Sequence, residues 1–216
     1  MEIHRANFIF ASLGPSSMLD KFYQYLSSKV SLSHTEWQKL SEICIFRTLV
    51  KGEFLLREGE KSTDLIIVLQ GCIRTYRADS LGKVRINSFA IENGWAGDAQ
   101  SAETGKPSKY NIDAIEPTTV VLINNLKFDE LCRQIPHLNQ FLTDNLKECL
   151  SGSRGQNDLV TIPTADEKYR SFAVYHPELL ARVPQYMIAS YLGITPESLS
   201  RIRKKLAKER FFTVSS

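Results

Sequence analysis

The sequence predicts an α+β chain: an N-terminal β-roll or jelly roll, a connecting helix, and a C-terminal helical domain built around a helix-turn-helix. Three observations lead there. Short apolar runs separated by turn residues fill the stretch from about Ile45 to Ile123. Apolar residues near heptad spacing follow from His137. Near the end, VPQYMIASYLGITPESLSRIRKKLAK (183–208) reads as two helices joined by a tight turn. The implied parts are 18–135, 136–160 and 161–216. A full β-wing after the last helix is not expected, because Phe211–Ser216 is too short for a hairpin.

Each element has its own signal. Leu13-Gly14-Pro15-Ser16 reads as a turn, and Met18–Leu26 as a short helix with Leu19, Phe22 and Leu26 on one face. Ser33-His34-Thr35-Glu36 matches a capping box, so a helix should follow with Trp37, Leu40 and Ile43 or Cys44 inward. The period then changes to strands: IFRTLV, EFLL, LIIVLQ, CIRTYRA, VRINSFAI, YNIDAI and TVVLI. Gly52, Gly59 and Gly71 are turn residues between them. Many short strands at this spacing favour a jelly roll or barrel. Phe128–Leu131 starts a helical turn that Pro136 breaks. From there Leu138, Phe141 or Leu142, Asn145 or Leu146, and Cys149 or Leu150 suit a helix that pairs with a twofold mate or lies on its own β-roll. Ser151-Gly152-Ser153-Arg154-Gly155 is poor helix sequence and reads as a hinge or linker. Thr164-Ala165-Asp166-Glu167 caps a further helix with Tyr169, Phe172, Ala173 and Tyr175 on its core face, and His176-Pro177 ends it.

The final helix pair carries the functional signal. Met187, Ile188, Tyr191 and Leu192 form the apolar stripe of a helix over Gln185–Leu192. Gly193 makes the turn, Thr195 is the N-cap and Pro196 takes the first helical position. Leu199, Ile202 and Leu206 should face inward, and Glu197, Ser200, Arg201 and Lys204 outward. Such a face suits a DNA major groove: Arg can pair with guanine through two bonds, and Glu can accept from the cytosine amino group. Charge agrees. Seven Lys/Arg against two Glu lie beyond residue 180, so that end is +5 within a chain of net +3, and the rest is −2. A basic end on a near-neutral body marks a polyanion surface.

YLGITPESLSRIRKKLA resembles the DNA-binding end of the Crp–Fnr family of bacterial transcription regulators, whose recognition helix carries Glu, Ser or Thr, and Arg at the spacing of Glu197, Ser198 and Arg201. KGEFLLREGE, LIIVLQGCIRTY and YNIDAIEPTTVVLI resemble the family's cyclic-nucleotide-binding β-roll. Together the resemblance covers about residues 20–210. It implies a homodimer on palindromic double-stranded DNA, with contact to RNA polymerase. Glu197, Ser198 and Arg201 would contact bases. Thr195, Ser200, Lys204 and Lys205 would contact phosphates or support the base contacts.

The expected ligand segment departs from the family pattern. Gly97-Asp98 stands where nucleotide-binding members have Gly-Glu, whose Glu takes the ribose hydroxyl. The Arg that takes the cyclic phosphate falls at Ser108, and no arginine occurs between Arg85 and Arg133. Lys106 or Lys109 could offer a point charge but not a fork. Gly97, Asp98, Ser108, Lys109 and Tyr110 are the candidate ligand residues, with Trp95 nearby read as core packing. Cyclic AMP is therefore not the expected effector: the segment reads as a β-roll kept as a scaffold, or as one that binds an unknown small molecule instead.

Composition bounds the rest. The chain has 216 residues, 43% hydrophobic and 24% charged, which fits an ordinary globular protein. No apolar run approaches the roughly 18–20 residues of a membrane span, and no secretory signal stands out, so a cytoplasmic protein is expected. Cys44, Cys72, Cys132 and Cys149 are scattered without metal-binding spacing, and the sequence predicts no metal. His4, His34, His137 and His176 are dispersed, and no phosphate loop or nucleophile signature is present, so no catalytic residue is assigned. The leading reading is a regulator that binds DNA. The alternative is a ligand-sensing module that acts through protein contact, with vestigial DNA binding.

Overall fold

The computed structural model describes residues 15–154 and 163–214. The chain divides into two compact units: Met1–Thr75 with Phe89–Lys147, and Tyr76–Ser88 with Glu148–Ser216.

The strands form two four-stranded sheets, one of them with helices against it. The strands are β1 (Cys44–Leu49), β2 (Phe54–Leu56), β3 (Asp64–Gln70), β4 (Ile73–Ala78), β5 (Val84–Ala90), β6 (Trp95–Ala96), β7 (Asn111–Ala114) and β8 (Thr118–Asn124). One sheet has the order β1-β8-β3-β6, the other β2-β7-β4-β5. β8 runs antiparallel to both β1 and β3, from Cys44↔Ile123 to Leu49↔Thr118 on one side and with Ile66↔Leu122 on the other.

Both faces of the first sheet are covered, which explains why β3 and β8 read as unbroken apolar runs. Ile66, Val68 and Val120 turn into a core shared with Leu49, Leu56, Ile73, Ile112 and Ala114. Ile67, Leu69, Val121 and Ile123 turn the other way, onto a helical layer. That layer is α1 (Pro15–Ser27), α2 (His34–Glu42), α4 (Asn125–Gln134) and the start of α5 (Pro136–Arg154). Phe22, Leu26, Leu40, Phe128, Leu131, Cys132, Leu138 and Phe141 supply its buried side chains.

Several sequence expectations are met and others corrected. Ser33 and Glu36 form the capping box, with Ser33 N donating to the Glu36 carboxylate at 2.8 Å. Ser33 N–H and hydroxyl hold the Glu36 carboxyl below its usual range. Pro15 and Ser16 do not form a turn: they begin α1, where a proline at the first helical position loses no bond. The short helical turn at Phe128–Leu131 is a ten-residue helix, α4, capped by the Asn124 side chain. The small residues Ser151–Arg154 continue α5 as helix, and residues 155–162 lie outside the described residues. Leu138 and Phe141, at the start of α5, are buried against their own sheet. Two elements gave no sequence signal, β6 and the short helix α3 (Ala99–Thr104).

The second unit holds α6 (Ala165–Tyr175), α7 (Pro177–Arg182), α8 (Gln185–Leu192) and α9 (Pro196–Val214). Thr164 and Glu167 form a second capping box. Tyr169 and Phe172 are buried, but Tyr175 is exposed rather than inward. The β4–β5 hairpin tip groups with these helices, and the Ser190 hydroxyl of α8 accepts from Ile86 N at 3.1 Å and donates to Val84 O at 2.9 Å. β5 is an edge strand, so these are backbone groups without a strand partner on that side. Among the described residues no helix is long and apolar enough to cross a membrane.

Candidate functional site

α8 ends in a tight reversal. Gly193 has φ +66°, a left-handed conformation that costs other residues steric strain. Its N–H bonds Ser190 O at 3.2 Å, and Ile194 N–H bonds Ala189 O at 3.0 Å, the paired reverse bonds of a Schellman ending. Two residues later Thr195 caps α9: its hydroxyl oxygen accepts from Ser198 N at 3.2 Å. Three residues therefore separate the end of the old helix from the start of the new one, and local bonds set the turn. α6, α8 and α9 pack on one another, with Met187, Ile188, Leu192, Leu199 and Ile202 buried.

The opposite side of α9 is polar and open. Thr195, Glu197, Arg201, Lys204 and Lys205 are exposed, and Ser198 and Ser200 are half-buried. The Arg201 guanidinium donates to Ser198 Oγ at 3.2 Å, and the Thr195 hydroxyl donates to the same oxygen at 3.1 Å. These bonds draw Arg201 back toward the first turn of the helix, beside Glu197. The Glu197 carboxyl is held below its usual range, chiefly by its own backbone N–H, with the Arg201 charge adding. The helix thus presents a carboxylate acceptor and a guanidinium donor together at its N-terminal end. Lys205 differs from its neighbours. Its ammonium lies 3.8 Å from Asp166 Oδ1, and Asp166 also accepts from Arg170 Nε at 2.6 Å. Lys205 therefore ties α9 to α6 as well as facing solvent, a weak link for an exposed pair.

The other candidate residues gather in the first unit. Gly97 has φ +149° and leads into Asp98, the N-cap of α3. Asp98 Oδ1 accepts from Ser101 N at 3.1 Å, and Oδ2 accepts from the Ser108 hydroxyl at 2.7 Å. Ser62 Oγ accepts from Asp98 N at 3.1 Å, and Ser62 N donates to Ser101 Oγ at 3.1 Å. The Ser101 hydroxyl donates to Lys106 O at 2.6 Å. Tyr110 N donates to Ser108 Oγ at 3.0 Å. Asp98, Ser101, Ser108 and Ser62 are all under 9% exposed, so these bonds close inside the protein. Lys109 is exposed and Tyr110 half-buried. Ser62 and Ser101 have no sequence signal, because only the fold brings residue 62 to residues 98–108. Trp95 is core: its indole N–H donates to the Tyr25 hydroxyl at 2.9 Å, and its ring meets Phe141 edge-on at 5.5 Å.

The thiols are shielded. Burial pushes Cys44 up to about 12 and Cys132 to about 11, and Cys72 is buried. Neither Cys44 nor Cys132 is a ready nucleophile or metal ligand at neutral pH. The Cys149 side chain lies outside the described residues. Among the described residues, no three His, Cys, Asp or Glu side chains come together as a metal site would need.

Comparison with known proteins agrees with this architecture. Residues 46–135 match the cyclic nucleotide-binding domain family. The chain is 29% identical over 189 residues to the transcriptional activator protein Anr of Pseudomonas aeruginosa, covering 80% of this chain and 75% of that one. It is 29% identical over 168 residues to the nitrogen fixation regulation protein FixK of Bradyrhizobium diazoefficiens, covering 73% and 69%. Its fold is that of FixK2 from Bradyrhizobium japonicum, with a TM-score of 0.66 at 21% identity over 77% of this chain and 86% of that one. A Crp/Fnr-family regulator from Eubacterium rectale superposes with a TM-score of 0.64 at 16% identity, covering 88% of each chain. The chain is therefore similar over most of its length to transcriptional activators of the Anr and FixK kind, with the match to the cyclic nucleotide-binding domain family lying in residues 46–135.

Proposed function

We propose that the chain is a cytoplasmic, homodimeric regulator that binds a twofold-symmetric DNA site through α9 and contacts RNA polymerase there. The observation that carries the proposal is the division of α9. Leu199 and Ile202 are buried, while Glu197, Arg201 and Lys204 stand exposed on a helix whose start is fixed by Gly193 and Thr195. A helix held in this way can enter a major groove with its N-terminal residues at the base edges. Glu197, Ser198 and Arg201 are assigned to bases. Thr195, Ser200, Lys204 and Lys205 are assigned to phosphates or to support. The dimer reading follows from geometry: one such helix reads only a few base pairs, and two copies one helical turn apart read a palindrome.

The parts of this reading are 18–135 as sensor, 136–160 as connecting and dimer helix with hinge, and 161–216 as DNA-binding domain. Because Leu138 and Phe141 are committed to the chain's own sheet, pairing would use the later turns of α5.

Titration of labelled duplexes at several salt concentrations tests the DNA reading. Lys204→Ala is expected to weaken binding by a similar factor on every sequence and to make the salt slope shallower by about 1, as loss of one phosphate contact does. A loss confined to one sequence would show that Lys204 reads a base.

A further inference from the structure

The matched family implies a cyclic nucleotide at the 97–110 segment, and the hydrogen bonds of that segment test the fit. A cyclic phosphate buried in protein needs a cation or several donors turned toward it. The hydroxyl of Ser108 is already given to Asp98 Oδ2, and its oxygen already accepts from Tyr110 N. Ser108 N donates to Glu60 O at 2.7 Å, and Ser108 O accepts from Gly59 N at 2.9 Å. Asp98 has one carboxylate oxygen on Ser108 and the other on Ser101 N. Ser62 and Ser101 complete the circuit. The lysines nearest in sequence, Lys106 and Lys109, are exposed, and the buried charge here is a carboxylate. No arginine between Arg85 and Arg133 offsets that carboxylate or meets a phosphate beside it. These residues do not fit a cyclic nucleotide.

We infer that Asp98 and Ser108 form an internal clasp in place of the nucleotide. The bond ties the N-terminus of α3 to the loop before β7; Ser62 ties α3 to the turn after β2, and Gly59 and Glu60 of that turn hold Ser108. The segment that a ligand would order is ordered by its own side chains. The sensor unit then reaches its folded form without nucleotide, and cyclic nucleotides shift no equilibrium between its states, because a ligand without differential affinity shifts nothing. This rests on the regulatory reading above and specifies how the sensor of such a regulator is set.

The test uses the full chain without DNA, so its outcome does not depend on whether α9 reads bases. Calorimetric titration and thermal melting with cyclic AMP and cyclic GMP are expected to show no saturable heat and no rise in Tm up to millimolar nucleotide. Saturable binding of either at micromolar concentration would overturn the inference. The clasp itself is tested by a cycle of Asp98→Ala, Ser108→Ala and the double variant. Each single change is expected to lower Tm, and the double change to lower it by clearly less than the two together, since the second removal finds the bond already gone. Additive shifts, or a Ser108→Ala protein as stable as the parent, would overturn the clasp. The nucleotide titration on the unaltered chain decides the ligand question even where a variant fails to fold.

Discussion

Replacing Arg201 by alanine is expected to weaken binding to the preferred DNA site by about 1–3 kcal/mol while leaving binding to unrelated duplex nearly unchanged. The selectivity of the loss is the point. Arg201 is exposed, and its recorded bond is to Ser198 Oγ at 3.2 Å, so removing it leaves the buried side of the helix intact. Leu199 and Ile202 keep α9 in place, and the Thr195 cap keeps its start. What is lost is a planar pair of donors at the position where a helix in the groove meets base edges. Anisotropy titrations on the preferred duplex and on its single-base-pair variants measure this directly. In the parent protein one base pair per half-site should discriminate strongly; in the variant that discrimination should flatten. A loss equal on every duplex would make Arg201 a phosphate contact and leave base reading to Glu197 and Ser198.

Gly71→Ala is expected to cost about 3–5 kcal/mol of stability, combining backbone strain with overpacking. Gly71 makes the turn from β3 to β4 at φ +102°, and a Cβ there would lie 2.5 Å from Thr118 Oγ1, 2.6 Å from Thr118 Cα and 2.7 Å from Pro117 O. Two of those atoms are backbone and cannot swing aside. Thr118 is itself fixed: it is 1% exposed, and its hydroxyl oxygen accepts from Cys72 N at 3.2 Å. Gly59 separates the two contributions. It has φ +90° but open space where a Cβ would go, so Gly59→Ala should cost only the strain, about 1–2 kcal/mol. Urea unfolding of both variants checks the comparison. A Gly71→Ala protein no less stable than Gly59→Ala would show that the turn and the Pro117–Thr118 strand start can move apart.

What was legible in the sequence was what acts through near neighbours. Gly193 and Thr195-Pro196 mark a stop and a start within four residues, and α8 and α9 lie where they place them. The two capping boxes are likewise local, because each needs only a hydroxyl and a carboxylate three residues apart. The apolar runs became strands because their composition suits sheets whatever the pairing. The order β1-β8-β3-β6 was not legible, since it joins strands some 75 residues apart by burial rather than by any turn. β6 and α3, of two and six residues, are too short to show a period. The heptad-like spacing of Leu138 and Phe141 left two packing partners open, and their own sheet takes them. At the candidate ligand segment the sequence shows a missing arginine, but not that Ser108 turns to Asp98, ten residues back. That bond forms where α3 folds back on Ser62 and the loop after it on Gly59 and Glu60.

The measurement that bears most directly on the central claim is selection from a random duplex pool with the purified chain, at moderate salt, without nucleotide and then with cyclic AMP. The account predicts enrichment of the same twofold-symmetric site in both pools. Salt-sensitive binding with no enriched site in either pool would contradict a sequence-specific regulator, and enrichment only with cyclic AMP would contradict a sensor set by its own clasp.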